Sequence, residues 1–323
     1  ENIRIRGLHL LVNGCDLLGQ EIIGMNALIG FHFVRNLEIR DFVCPDLLRR
    51  AFCIQVCTFE NILLENLRIE GGKDAVHLGR GKRFVIRHGI FRTFDDPIAL
   101  NAHDYVTSNP QFGWIEDGIV EDCYDLDQRE TTGFFCRLLG GAWTTWQPEM
   151  PIRRSDLVVS DGRLYSANLP VDGLERISRT APRHPDGVSV LDGIPWKFVQ
   201  EADGFQCGVR NVHFRDIVLE KRRPRAFSMT FDNDNWSRSV YPGAPMPVQS
   251  GILLENIRVR NRIDALVEIR TPCDVLKILH SDLENSSILL NSWGYLADRY
   301  PKTALLFSGT TSRGPGFRIV DAE

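Results

Sequence analysis

The sequence predicts an all-β protein, a right-handed parallel β-helix (solenoid) with inserted loops, formed by residues 1–323 as a single domain. Three observations point there. A strand, bend, strand phrase recurs, with ENILLENLRIEGG at 60–72 returning as SGILLENIRVRN at 250–261. Matching positions Leu37, Ile62 and Phe84 are offset by 25 and 22 residues, the length of one coil. No series of apolar residues at 3.6-residue spacing supplies the helices that a doubly wound α/β fold needs.

Looser copies stand at 36–44, 82–91, 115–126, 155–165 and 208–221. Each alternates Ile, Val, Leu or Phe with polar residues until an Asn, Asp or His breaks the alternation and a second short run follows. A β-sandwich would place hairpin turns at that break, whereas here the chain runs straight on into another strand. Coils later in the chain are separated by longer stretches. The segments 104–114, 140–155, 166–206 and 232–250 are rich in Pro, Gly, Trp and charge, and read as loops leaving one side of the coil.

Composition narrows the function. Hydrophobic residues make up 43% and charged residues 25%, the balance of a chain with a sizeable core. The 38 basic and 42 acidic residues are interspersed, giving a net charge of −4 and no basic stripe for nucleic acid. Apolar runs are too short to cross a bilayer, so no membrane partner is expected. Glu1 falls inside a repeat unit, so an upstream coil or export signal is expected to precede it. The eight cysteines match no metal framework and read as buried thiols; Cys53 and Cys57, four apart, share one face of a strand. Neither a cofactor nor a metal is expected.

The chemistry-bearing residues cluster. Asp74 begins DAVHL and Asp96 begins DPIAL 22 residues later, the offset that also separates Ile62 from Phe84. The two aspartates therefore occupy equivalent places on adjacent coils, and Asp95 adds a third. Aspartates do cap bends by bonding nearby backbone N–H groups, and any one of these could do so. Three stacked together suit glycoside hydrolysis, which needs a protonated carboxyl as acid and an ionised one to activate water. The carboxyl separation expected of an inverting pair is ~6.5 to 9.5 Å.

The same register aligns Val76, Ile98, Cys136 and Met229 as inward positions, then Leu78, Leu100, Leu138 and Phe231. The outward columns read His77, Ala99, Arg137, Thr230 and Gly79, Asn101, Leu139, Asp232. His103 and Asp104 leave the strand beyond Asn101, while Trp143 and Trp146 follow Arg137. Candidate substrate-binding residues are therefore His77, Asn101, His103, Asp104, Arg137, Trp143, Asp232 and Trp236. A tryptophan face beside carboxylates suits a pyranose, although either Trp could equally pack against the scaffold. Arg137 would neutralise an acidic sugar or pair with a scaffold Asp. The stretch from Asp232 through Asp234 to Trp236 alternates oxygen ligands but lacks the Gly and distal Glu of a calcium loop, and reads as hydrogen-bonding. Asp186, in DGVSVL, would bring a further acid to the same face.

Asp74 followed by Asp95-Asp96 inside FDDPIAL resembles the polygalacturonase-type glycoside hydrolases, family 28, and the coil pattern resembles the wider pectate-lyase-like superfamily. The resemblance implies Asp95 as general acid, with Asp74 and Asp96 holding and activating water in an inverting site. Departures accompany it: Gly72-Lys73 stand where the family has Asn-Thr, Ala75 replaces Gly, Pro97 replaces Cys, and neither Gly-His-Gly nor Arg-Ile-Lys occurs downstream. An exo-acting or side-chain glycosidase fits these better than a pectin hydrolase. A carbohydrate partner and a secreted or periplasmic location follow from that function. A polysaccharide lyase and a non-catalytic, tailspike-like binding coil are the alternative readings.

Overall fold

A computed structural model describes residues 1–14, 25–104, 108–170, 174–231, 241–283, 286–290, 303–311 and 318–321. Among them there is no helix. The chain winds as a parallel β-helix whose 16-stranded sheet is paired throughout in parallel. On one face the opening of Phe52–Gly71 is followed by Val76–Leu78, Ile98–Asn101, Cys136–Leu139, Arg223–Thr230, Ile263–Ile269 and Ser287–Leu290. Around the bend, Ile3–Arg6, Ala27–Leu47, the rest of Phe52–Gly71, Gly81–Thr93, Ile115–Asp125, Val209–Leu219, Ser250–Val259 and Val275–Leu279 stack likewise.

The expected register of Leu37, Ile62 and Phe84 is found. Inside the coil, Ile54, Val76, Ile98, Cys136, Phe227, Val267 and Ile288 form one unbroken ladder, each fully buried. Full burial of such a side chain contributes roughly 1.5–3 kcal/mol, so stacking is the dominant favourable term.

The bends follow from the polar residues that interrupt the alternation. Asn36, Asn61, Arg83, Asp117 and Asn211 all have φ between 55° and 58° and share one register position. Five residues on, Asp41, Asn66, His88, Asp122, Asp216, Asn256 and His280 repeat the left-handed conformation. Asn and Asp tolerate this region better than other side chains, so the sequence turns where they stand. Amides also link corner to corner: Asn61 Nδ2 donates to Asn36 Oδ1 at 3.0 Å, and Asn66 Nδ2 to Asp41 Oδ1 at 2.6 Å.

Two expectations are corrected. The segments 140–155 and 166–206 are not merely loops. With the 155–165 phrase they carry Thr144–Thr145, Leu157–Ser160, Arg163–Ala167, Val188–Leu191 and Ile194–Glu201, which form a separate five-stranded sheet. Leu157–Ser160 and Arg163–Ala167 pair antiparallel, so that phrase is a hairpin and not a coil. Ile152, Val158, Tyr165, Ile194 and Trp196 give this sheet its own core. Secondly, Cys136 pairs with Phe227 and Arg137 with Ser228, two residues from the expected partners Met229 and Thr230. Leu139 accordingly meets Thr230 and not Asp232.

Candidate active site

Asp74 and Asp96 precede equivalent strands on adjacent coils, as Val76 pairs with Ile98 and the Ala75 N–H donates to the Asp96 carbonyl at 3.1 Å. The bends entering Val76–Leu78 and Ile98–Asn101 thus stack three carboxylates. One oxygen from each of Asp74, Asp95 and Asp96 lies within 4.8 Å of the others. For Asp74 and Asp96 this closeness follows from their places on adjacent coils, one strand spacing of ~4.8 Å apart.

Cations hold the cluster together. Lys73 Nζ bonds Asp95 Oδ2 and stands 3.8 Å from Asp74 Oδ1. Arg137 Nε lies 3.1 Å from Asp96 Oδ2, off the direction of a good hydrogen bond. Burial disfavours the charge on Lys73, but Asp74 and Asp95 outweigh it and keep its proton affinity above the ordinary range. For Arg137, Asp96, Asp74 and Asp95 likewise overcome burial. Arg137 thus faces Asp96 of the carboxylate cluster itself.

The carboxyls are not equivalent. Asp96 is fully buried, and burial, with the charges of Asp95 and Asp74, pushes it up to about 7 against the pull of Arg137 and of the Phe134 N–H. That N–H donates to Asp96 Oδ1 at 2.6 Å. Burial also acts on Asp74, but the His77 hydrogen bond and Lys73 outweigh it and hold the carboxyl below its ordinary value. Asp95 is the member nearest solvent, with 13% of its side chain exposed. Gly133, at φ 67°, crosses this pair so closely that a Cβ would stand 2.3 Å from Asp96 Oδ1 and 2.6 Å from Asp95 Oδ1.

The other predicted residues lie on the expected side of the coil but are covered. His77 is buried, stacked on Phe52 with centroids 3.9 Å apart, and its Nδ1 is 3.2 Å from Asp74 Oδ2. Asn101 Nδ2 donates to Asp104 Oδ2 at 2.7 Å, as does Ser108 Oγ at 3.0 Å. His103 lies beneath Gly141 and beside Phe112, and burial lowers its pKa to about 4. These residues support the site from within and do not line an open groove. Residues 108–112 cover them: Gln55 Nε2 donates to Ser108 O, Asn109 Nδ2 to Asn101 O, and the Phe112 N–H to Gln200 Oε1.

Trp143 offers no sugar platform. Its ring is buried and its Nε1 donates to Gly204 O at 2.9 Å, because the inserted sheet closes over it. Trp146 donates to Ser178 Oγ and packs against the insert core. Asp186 sits exposed just before Val188–Leu191 of that sheet, so it brings no acid to the coil face. Asp232, Asp234 and Trp236 lie outside the described residues. Sequence reasoning missed Lys73, Gly133 and Phe134. Lys73 was legible, since the offset of 22 stacks it against Asp95, while the other two follow a longer gap.

Among the described residues, Asp74, Asp95 and Asp96 are the one carboxylate, His and Cys group whose atoms converge closely enough for a metal ion. Lys73 and Arg137 already supply two positive charges there.

No family model matches the sequence, and no curated protein matches it. Among solved structures, the chain is similar to a family 28 exopolygalacturonase of Yersinia enterocolitica, with 13% identity, 88% of this chain and 46% of that one covered, and a TM-score of 0.42. It is similar to a hyperthermoactive exopolygalacturonase from Thermotoga maritima at 11% identity, 91% and 56% coverage and a TM-score of 0.40. The catalytic domain of a GH87 alpha-1,3-glucanase in complex with nigerose gives 11%, 96%, 55% and 0.37. The chain spans about half the length of each of these structures.

Proposed function

We propose that the chain is a glycoside hydrolase that cleaves a glycosidic bond of a poly- or oligosaccharide at Asp74, Asp95 and Asp96. One observation carries this reading: three carboxylates within 4.8 Å have proton affinities driven apart, Asp96 up to about 7 and Asp74 down. An acid and a base poised together at neutral pH are what hydrolysis of an acetal requires.

Asp96 is the proton store, because burial and the neighbouring charges of Asp95 and Asp74 raise its proton affinity to about 7. At rest the proton stays on buried Asp96; it is delivered through Asp95, the member facing solvent. Asp95 protonates the leaving oxygen as the anomeric C–O bond breaks. Water attacks the anomeric carbon and gives its proton to Asp74, whose Oδ1 accepts no hydrogen bond from the protein and whose Oδ2 is fixed by His77. The close spacing by itself would suit direct attack by a carboxylate. Asp74 Oδ1, which Lys73 approaches at 3.8 Å but no group hydrogen-bonds, is assigned the proton of the attacking water, so the reading is inversion.

A lyase would need a cation available to a uronate, and Lys73 and Arg137 are both engaged by aspartates. A secreted or periplasmic location, where glycan chains are met, belongs to the same reading. The test is a screen of plant and bacterial glycans followed by proton NMR of the first-formed anomer. Asp74→Asn, Asp95→Asn and Asp96→Asn should each lower turnover by ~10²-fold or more while binding persists. Retention at the anomeric centre would overturn the water mechanism; full turnover in all three variants would overturn the function.

A further inference from the structure

One position in the core breaks the pattern of its neighbours. Ile69, Phe91, Asp125, Leu219 and Val259 occupy one register column, and four of the five are buried and apolar. Asp125 is also fully buried, and Arg223, which opens Arg223–Thr230 around the bend from Val209–Leu219, meets it with two bonds, Nε to Oδ2 at 2.7 Å and Nη2 to Oδ1 at 3.1 Å. A coil of this kind does not need that pair. Apolar residues fill the column elsewhere, and a buried ion pair is no better for stability than well-packed hydrophobic side chains of similar volume.

What the pair adds is a third contact. Arg223 Nη1 donates to Thr132 O at 3.1 Å and reaches Thr131 Oγ1 at 3.4 Å. Thr131 Oγ1 and the Thr132 N–H both donate to Phe94 O, at 3.1 and 2.8 Å. The chain then passes over the carboxylates at Gly133 and delivers the Phe134 N–H to Asp96. A second basic side chain from the same stretch reaches the pair through Thr93: buried Lys221 donates to Thr93 O, and Thr93 Oγ1 donates to Asp95 O at 2.8 Å.

We propose that the Arg223–Asp125 pair is a positioning device, which through Thr131 and Thr132 straps residues 131–134 across Asp95 and Asp96 and keeps water from Asp96. The inference deepens the function proposed above and rests on it for the chemistry, whereas its first readout needs no turnover. The charged groups facing Asp96 are Asp74, Asp95, Lys73 and Arg137, with Lys221 behind. Arg223 bonds Asp125, Thr131 and Thr132, and its path to the three carboxylates of the site runs through the strap.

The experiment replaces the pair by apolar residues, Asp125→Leu with Arg223→Met, in the full chain. Folding is checked by circular dichroism and melting, and Asp96 is titrated by carboxyl carbon-13 NMR, assigned by comparison with Asp96→Asn. Burial is the largest cause of the raised value, so admission of water should move the midpoint down from about 7 by ~1 pH unit or more. The basic limb of the pH–rate profile on whichever glycan is cleaved should move with it. Should the double variant not fold, Thr131→Val removes the hydroxyl link at a partly exposed position and should shift the midpoint in the same direction by less. A folded double variant, or a Thr131→Val protein, with an unmoved midpoint overturns the strap. If no glycan is cleaved by the wild type, the hydrolase reading fails and the titration still decides this one.

Discussion

His77 Nδ1 stands 3.2 Å from Asp74 Oδ2 while its ring lies flat on Phe52, the planes 14° apart. The stack fixes the ring and the hydrogen bond fixes one carboxylate oxygen. In the hydrolysis proposed above, Asp74 Oδ1 is the oxygen that takes a proton from water. His77→Phe retains an aromatic ring against Phe52 and loses the hydrogen bond. Turnover is expected to fall about ten- to a hundred-fold, the kinetic equivalent of a hydrogen bond to a charged group. The acid limb of the pH–rate profile should move to higher pH, since His77 helps hold Asp74 below its ordinary value. Steady-state kinetics carried well below pH 3.8, the ordinary value of an aspartate, tests this, and an unmoved limb would deny His77 the role.

Asp96 and His103 impose opposite pH dependences on stability. Asp96 rises from 3.8 to about 7 on folding, so in that window the folded state binds the extra proton and stability falls as pH rises. His103 drops from 6.5 to about 4, so there the unfolded state binds the extra proton and stability falls as pH drops. Relative to wild type, Asp96→Asn should gain stability between pH 4 and 7 by up to ~1.4 kcal/mol per pH unit. His103→Phe should gain it in the reverse direction, from pH 6.5 down to 4. Urea unfolding at half-unit pH steps separates them; a pH-independent difference in either case would place the group in water.

The corners set the winding. Asn66 has φ 53° and is exposed, and its amide bonds Asp41. Asn66→Ala should destabilise by ~1 kcal/mol, because alanine keeps a Cβ in the left-handed region and loses the amide that lets Asn occupy it. Asn66→Gly should lose less, because glycine meets no such cost. Equal losses in urea denaturation would show that the amide bond and not the backbone matters at this corner.

The coil was legible because its cause is local. Alternation with a period of two, broken by Asn or Asp, marks strands and bends without knowledge of neighbours, and equal offsets of 22 stack Asp74 under Asp96. The pairing of Cys136 with Phe227 was not legible. A slip of two residues keeps every side chain on its own face, so the apolar pattern that fixes parity cannot fix register across the inserted sheet.

By itself, then, the sequence determined the β-helix, the side of the coil that bears the polar residues and the meeting of Asp74, Asp95 and Asp96, since all three depend on spacing along the chain. Only the tertiary structure decided that His77 and Trp143 are buried, that Arg137 belongs to Asp96, and that residues 131–134 cross the carboxylates. The physical reason is that burial and proton affinity depend on what the inserts lay over the coil, and those contacts join residues far apart in the chain.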